Sequence, residues 1–178
     1  MASHSSNSRY STIGHALKEM KKVPLVEYKP QQPFNRRRVF KFDVNGAPGI
    51  RLSDAKEQNY DGLWRKDEEL FKTDLFGNSE KVSIRVGWPG YRPFTEEIRS
   101  KNSTKERKPH SVAKSAHEIA KSIQKMTDDF STRQCDKEHA EWAVGPGCIE
   151  LRHLYLAEIW QVSKNSFEPV IYYYKCDV

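Results

Sequence analysis

The longest periodic pattern in the chain lies between Ser111 and Phe130. Val112, Ala116, Ile119, Ala120, Ile123, Met126 and Phe130 recur at spacings of three and four, while Lys114, Glu118, Lys121 and Lys125 take the opposite side. That spacing predicts an amphipathic helix whose apolar stripe must be buried against a sheet or another helix. Pro109 cannot lie in a helix interior, and Ser111 or His110 marks the start, so the helix spans about 111–130. Elsewhere the period falls to two. Lys81 to Val86 alternates cleanly, with Val82, Ile84 and Val86 on one face and Lys81, Ser83 and Arg85 on the other, which predicts a half-exposed strand.

Arg38 to Val44 is rich in β-formers and runs through the turn cluster Asn45-Gly46-Ala47-Pro48-Gly49 into Ile50-Arg51-Leu52, a strand–loop–strand pattern. Ile149 to Val162 is apolar on both faces, as a covered central strand would be. Ser163 to Ser166 is turn chemistry, and Val170 to Tyr174 returns as an antiparallel partner. Ser53-Asp54 offers an N-cap for a short helix near 55–59. Leu63-Trp64 and Leu70-Phe71 flank the charged run Arg65 to Glu69 at helical spacing, which predicts a second short helix over 62–72.

These elements predict an α+β fold: a small antiparallel or mixed sheet of about four or five strands, covered on one face by the 111–130 helix. Residues 1–36 are Ser-rich, then Lys/Pro/Gln-rich, and read as a flexible polar arm that leaves a single domain over 37–178. Val23 to Tyr28 is the part of that arm able to dock as a strand.

Apolar residues make up 37% of the chain and aromatics 11%, so the aromatic rings must supply much of the core. No stretch approaches the roughly 18 apolar residues of a bilayer span. Met1 to Tyr10 lacks the apolar core of a secretory signal. The three cysteines are odd in number and widely spaced, unlike a secreted disulfide scaffold. The expectation is an intracellular protein, of cytoplasm or nucleus, with no membrane partner.

Charge changes the picture more. The net charge is +6, and the segment Arg99 to Lys125 alone carries eight basic residues against Glu106 and Glu118. The basic character is therefore local. Arg99, Lys101, Lys105, Arg107 and Lys108 fall in a loop, and Lys114, Lys121 and Lys125 continue along the outer helix face. Together they would present one stripe to an anionic partner, nucleic acid or an acidic protein. Ser100, Ser103, Thr104 and Ser111 interrupt the stripe, where phosphorylation would weaken it. Arg36-Arg37-Arg38 could add a second contact. The ordinary role of any such run is a solvated surface.

Catalytic signatures are missing: no G-x-G-x-x-G, no phosphate loop, no H-E-x-x-H and no G-x-S-x-G. Cys135 and His139, followed by Cys148 and His153, supply four ligands of the types zinc favours, although not in the commonest C-x2-C spacing. The same residues could form a thiol–imidazole pair in a hydrolase or nuclease. Trp64, Trp88, Trp142 and Trp160, with Tyr172 to Tyr174, could stack bases but more naturally form core and rim.

The order of the phrases Val39 to Asp54, Val86 to Tyr91, Ser111 to Ile123, Val144 to Leu151 and Val162 to Pro169 resembles a widely expanded group of uncharacterised proteins of mushroom-forming fungi. The resemblance covers most of residues 38–170 and implies one intact intracellular domain. It carries no activity or site residues across. The sequence thus leans toward a non-enzymatic binding module using the basic stripe. Its alternatives are an interaction or oligomerisation domain working through an exposed β edge, such as Val170 to Tyr174, and a hydrolase or nuclease built on the Cys/His set.

Overall fold

The structure is a computed structural model and describes residues 19–174. In chain order its elements are β1 (Lys21–Lys22), β2 (Arg37–Lys41), β3 (Asp43–Val44), β4 (Ala47–Pro48), β5 (Ile50–Arg51), α1 (Leu52–Lys56), α2 (Thr73–Phe76), β6 (Lys81–Val86), β7 (Phe94–Arg99), α3 (Val112–Ser131), β8 (Leu154–Ser163) and β9 (Ser166–Tyr173), with 3-10 turns at Lys137–Trp142 and Leu151–His153. The fold is mixed α and β, as the periodicities predicted. The sheet is larger than expected: seven strands in the order β2-β8-β9-β6-β7, with β1 added beside β9 and β5 beside β8, plus a separate β3–β4 pair. Only β6 and β9 run parallel, so the main sheet is mixed.

The centre is the β8–β9 hairpin, turned by Lys164 and Asn165. Simple alternation along β8 would put Leu156 and Trp160 on one face and Ile159 on the other. A bulge near Ala157 reverses this: Leu154, Leu156 and Ile159 pair with Tyr173, Ile171 and Pro169, and all three of these β8 residues are fully buried. An extra residue in one strand shifts every later side chain to the opposite face.

Helix α3 lies on that buried face. Ser111 caps it, its Oγ accepting from the Lys114 amide at 3.2 Å. Ala116, Ile119, Ala120, Ile123, Met126 and Phe130 have no exposed surface. At roughly 1.5–3 kcal/mol for each large side chain removed from water, this stripe is a main anchor of the fold. Phe130 stacks on Tyr91 with centroids 4.4 Å apart and planes 6° from parallel. On the flank facing α1, His117 Nδ1 lies 3.2 Å from the Ala55 carbonyl oxygen.

No helix forms over 62–72. Arg65 adopts a left-handed φ of 54°, which an α-helix cannot contain. The segment instead holds the start of α3: the carbonyls of Glu68 and Lys66 accept from the Val112 and Ala113 amides at 2.7 and 2.9 Å. Those amides have no partner within the helix, so the loop satisfies what α3 cannot. The short helices are α1 and α2, and α1 begins at Leu52 without a side-chain cap.

Residues 1–18 of the expected arm lie outside the described residues, but the remainder lies along the domain. β1 pairs antiparallel with β9, Val23 is buried, and the Val26 amide donates to the Gly87 carbonyl at 2.7 Å. The buried Glu168 carboxylate accepts from the Tyr28 amide and from Arg36, the latter at 2.8 Å. Arg85 covers the Tyr28 ring at 4.1 Å. β1 also occupies the edge of β9, so Val170 to Tyr174 is not the exposed edge the sequence suggested. Among the described residues, no helix is long and apolar enough to cross a membrane.

Candidate functional site

The loop between β7 and α3 is closed at its base. Lys101 bridges to Pro109, the Asn102 amide donates to the Lys108 carbonyl at 2.9 Å, and the His110 amide donates to the Ser100 carbonyl at 2.8 Å. Arg107 takes a left-handed φ of 45° to make the return. The loop then enters α3 directly, so Lys105, Arg107 and Lys108 precede Lys114 in space as they do in sequence.

The eight cations do not behave alike. Lys101 is buried, 3% exposed, with Nζ 2.6 Å from Asn78 Oδ1; the expectation that it faces outward is corrected, because the bridge to Pro109 turns it inward. Arg107 pairs with Glu80, and Lys108 with Glu106 at 2.9 Å. Lys114 and Lys121 share Glu118, at 3.0 and 3.5 Å. Lys125 pairs with Glu96. Arg99 and Lys105 are exposed and have no carboxylate within ion-pair distance among the described residues.

Glu80 and Glu96 are the carboxylates that sequence reading missed. Each lies far from its cation along the chain and is brought beside it by the β6–β7 pairing and the docking of α3 on β7. Cross-strand pairing also adds Lys81, opposite Arg99 and held by Glu97 at 3.5 Å. The alternation along β6 had placed Lys81 on the polar face, which was the available signal. Lysines 114, 121 and 125 do face outward, as their helical phase required.

The four hydroxyls separate by burial. Ser100 is buried, its Oγ donating to the Ser79 carbonyl at 2.9 Å, and Ser111 serves as the helix cap. Ser103 and Thr104 are exposed on the loop. Beneath the loop, the His110 imidazole is buried and its Nδ1 has no partner. Burial, and then the Lys114 charge, hold its pKa below the ordinary histidine value, with Glu118 opposing.

The Cys/His set is brought together only in part: Cys135 lies near Tyr91 and Cys148, and it and His139 flank Gly90, whereas His153 is engaged elsewhere. His153 Nδ1 accepts from the Glu150 amide at 3.1 Å, and the ring sits edge-on to Tyr173. Cys135 Sγ donates to the His139 carbonyl oxygen at 3.4 Å. Burial raises the Cys135 pKa, opposite to what a thiolate nucleophile requires. Cys148 and His139 are exposed. Among the described residues, no three His, Cys, Asp or Glu side chains gather as a metal-holding group. The tryptophans divide as core and rim: Trp88 and Trp142 are buried, with Trp88 Nε1 donating to the Trp142 carbonyl at 2.8 Å, and Trp64 is 53% exposed.

No family model, curated protein or solved structure matches the chain.

Proposed function

We propose that this protein is a non-enzymatic intracellular binding module that docks an anionic partner on the 99–108 loop, with nucleic acid as the partner to test first. The observation that carries this reading is the exposure of Arg99 and Lys105 without carboxylates among the described residues, beside Arg107 and Lys108 held in exposed pairs. Such pairs are worth roughly 0–1 kcal/mol, so an incoming phosphate exchanges them at little cost. Arg99 and Lys105 supply the first contacts. Arg107, Lys108 and Lys114 join by leaving Glu80, Glu106 and Glu118. The affinity is modest and independent of sequence, because Lys and Arg on phosphates position a strand without reading its bases.

The test is charge reversal on the full chain, read by fluorescence anisotropy of a labelled DNA duplex at low salt. Arg99→Glu with Lys105→Glu is expected to weaken binding at least about tenfold, while Lys121→Glu with Lys125→Glu changes it far less. Equal losses from the two pairs, or no binding by the wild type, would remove the loop as the site.

A further inference from the structure

β2 is a terminal strand of the sheet, and among the described residues no backbone hydrogen bond reaches the outer side of Arg37–Lys41. An unpaired edge is a template for another strand. The opposite terminal strand, β7, is also unpaired outward, but its Glu96 and Glu97 are engaged by Lys125 and Lys81. Beside β2 lies a cleft of about 170 Å³, walled by Phe40 and Val39 on the strand and by Leu70, Leu75 and Phe76 across from it. A second hollow of about 550 Å³ continues past Arg37, Leu75 and Phe76. Among the described residues, two of the three exposed large apolar side chains lie here: Leu75, which lines both hollows, and Trp64, which stacks on Phe40.

The charge of this groove is specific. Arg37, Arg38, Arg65 and Lys72 line it against Glu68 and Glu69. Arg65 and Arg38 are matched by Glu68 and Glu158. Arg37 is not matched: its guanidinium donates to neutral oxygens, Gln161 Oε1 at 2.7 Å and the Leu75 carbonyl at 3.0 Å, and covers the Phe76 ring at 5.1 Å. Lys72 makes no hydrogen bond or close ion pair among the described residues, although its charge acts on Glu68 beside Arg65. Glu69, also without a partner cation, leaves the lining net positive. A second copy of the chain added edge to edge would set Arg37, Arg38 and Lys41 against their own kind, and like charges opposite one another destabilise a strand pair.

We infer that the outer edge of β2 accepts an extended acidic peptide segment of a partner protein as an added antiparallel or parallel strand. Backbone hydrogen bonds to Arg37–Lys41 supply affinity, and the side chains on one face of the added strand enter the cleft, where carboxylates meet Arg37 and Lys72 beside Leu75 and Phe76. The site shares no residue with the 99–108 loop and does not depend on that reading.

The probe is an end-blocked, fluorescein-labelled peptide of about six residues alternating Val and Glu, titrated into the full chain by anisotropy. It is compared with a Val–Lys peptide and with a Val–Glu peptide carrying a central proline. The Val–Glu peptide binds; the Val–Lys and proline peptides bind at least about tenfold more weakly. Arg37→Glu with Lys72→Glu costs a similar factor, and Lys105→Glu costs nothing. Lys72→Glu alone, whose wild-type side chain makes no hydrogen bond or close ion pair among the described residues, gives a smaller loss with an unchanged circular dichroism spectrum. Absence of Val–Glu binding at low salt, equal binding of the Val–Lys peptide, indifference to the proline, or insensitivity to Lys72→Glu would overturn the inference. So would a concentration-dependent dimer that the peptide fails to dissociate.

Discussion

His110 shows how a single side chain ties the loop to the fold. Its imidazole is buried with Nδ1 unpaired, which disfavours the charged ring relative to the neutral one. A pKa held below the unfolded value means that the unfolded chain binds the proton first as pH falls. Stability is therefore undiminished above about pH 6.5 and declines as pH drops through that value toward the lower folded pKa. Urea unfolding at pH 7.5 and pH 5.5 is expected to show this decline, and His110→Gln is expected to lessen it. An identical pH dependence in the variant would mean that the ring is already solvated. Trp88 gives a second test at this scale. Replacing it with Phe leaves the Trp142 carbonyl without its donor and opens a void where the indole has no exposed surface. The expected cost is about 1–3 kcal/mol, measured as a shift in denaturation midpoint at constant slope.

Among the elements, α3 was legible and the 62–72 segment was not, for one reason. The stripe from Val112 to Phe130 repeats over many turns, so no local exception can displace it. The pattern from Leu63 to Phe71 rests on two apolar pairs, and a left-handed Arg65 is enough to break it. Ser111 was legible as a start signal, and Ser111→Ala is expected to cost about 1 kcal/mol of stability, with circular dichroism amplitude preserved. β8 was legible as a strand, but its facing was reversed by one bulged residue that alternation cannot reveal. The arm was hardest to see, because its docking joins backbone groups, one glycine and side chains distant in sequence, Glu168 and Arg85. A Cβ at Gly87 would stand 2.2 Å from the Val26 carbonyl oxygen, a distance that real contacts do not reach. Gly87→Ala is therefore expected to lift residues 23–28 from the sheet, seen as faster hydrogen exchange of the Val26 amide. Unchanged protection there would show that the backbone accommodates the methyl group.

At the scale of the whole molecule, the excess positive charge was correctly placed by the sequence, and its neutralisation was not. Counting residues along the chain finds Glu106 and Glu118. It cannot find Glu80 and Glu96, which reach the same surface through strand pairing and helix docking. Among the described residues, the eight expected contacts thus become two cations without a carboxylate, five ion pairs in which five more share four carboxylates, and one buried lysine. The consequence is quantitative. Each phosphate neutralised on duplex DNA adds about 0.9 to the magnitude of the slope of log affinity against log salt. Contacts made by Arg99 and Lys105 alone give a slope of about −2, the addition of Arg107, Lys108 and Lys114 brings it to about −4.5, and the whole stripe would give about −7. The direct measurement is that slope, from duplex binding to the full chain across a salt series. A slope between about −2 and about −4.5 that flattens in the Arg99→Glu, Lys105→Glu variant is the predicted result; binding whose affinity does not change with salt, or whose slope is unaffected by that variant, would contradict it.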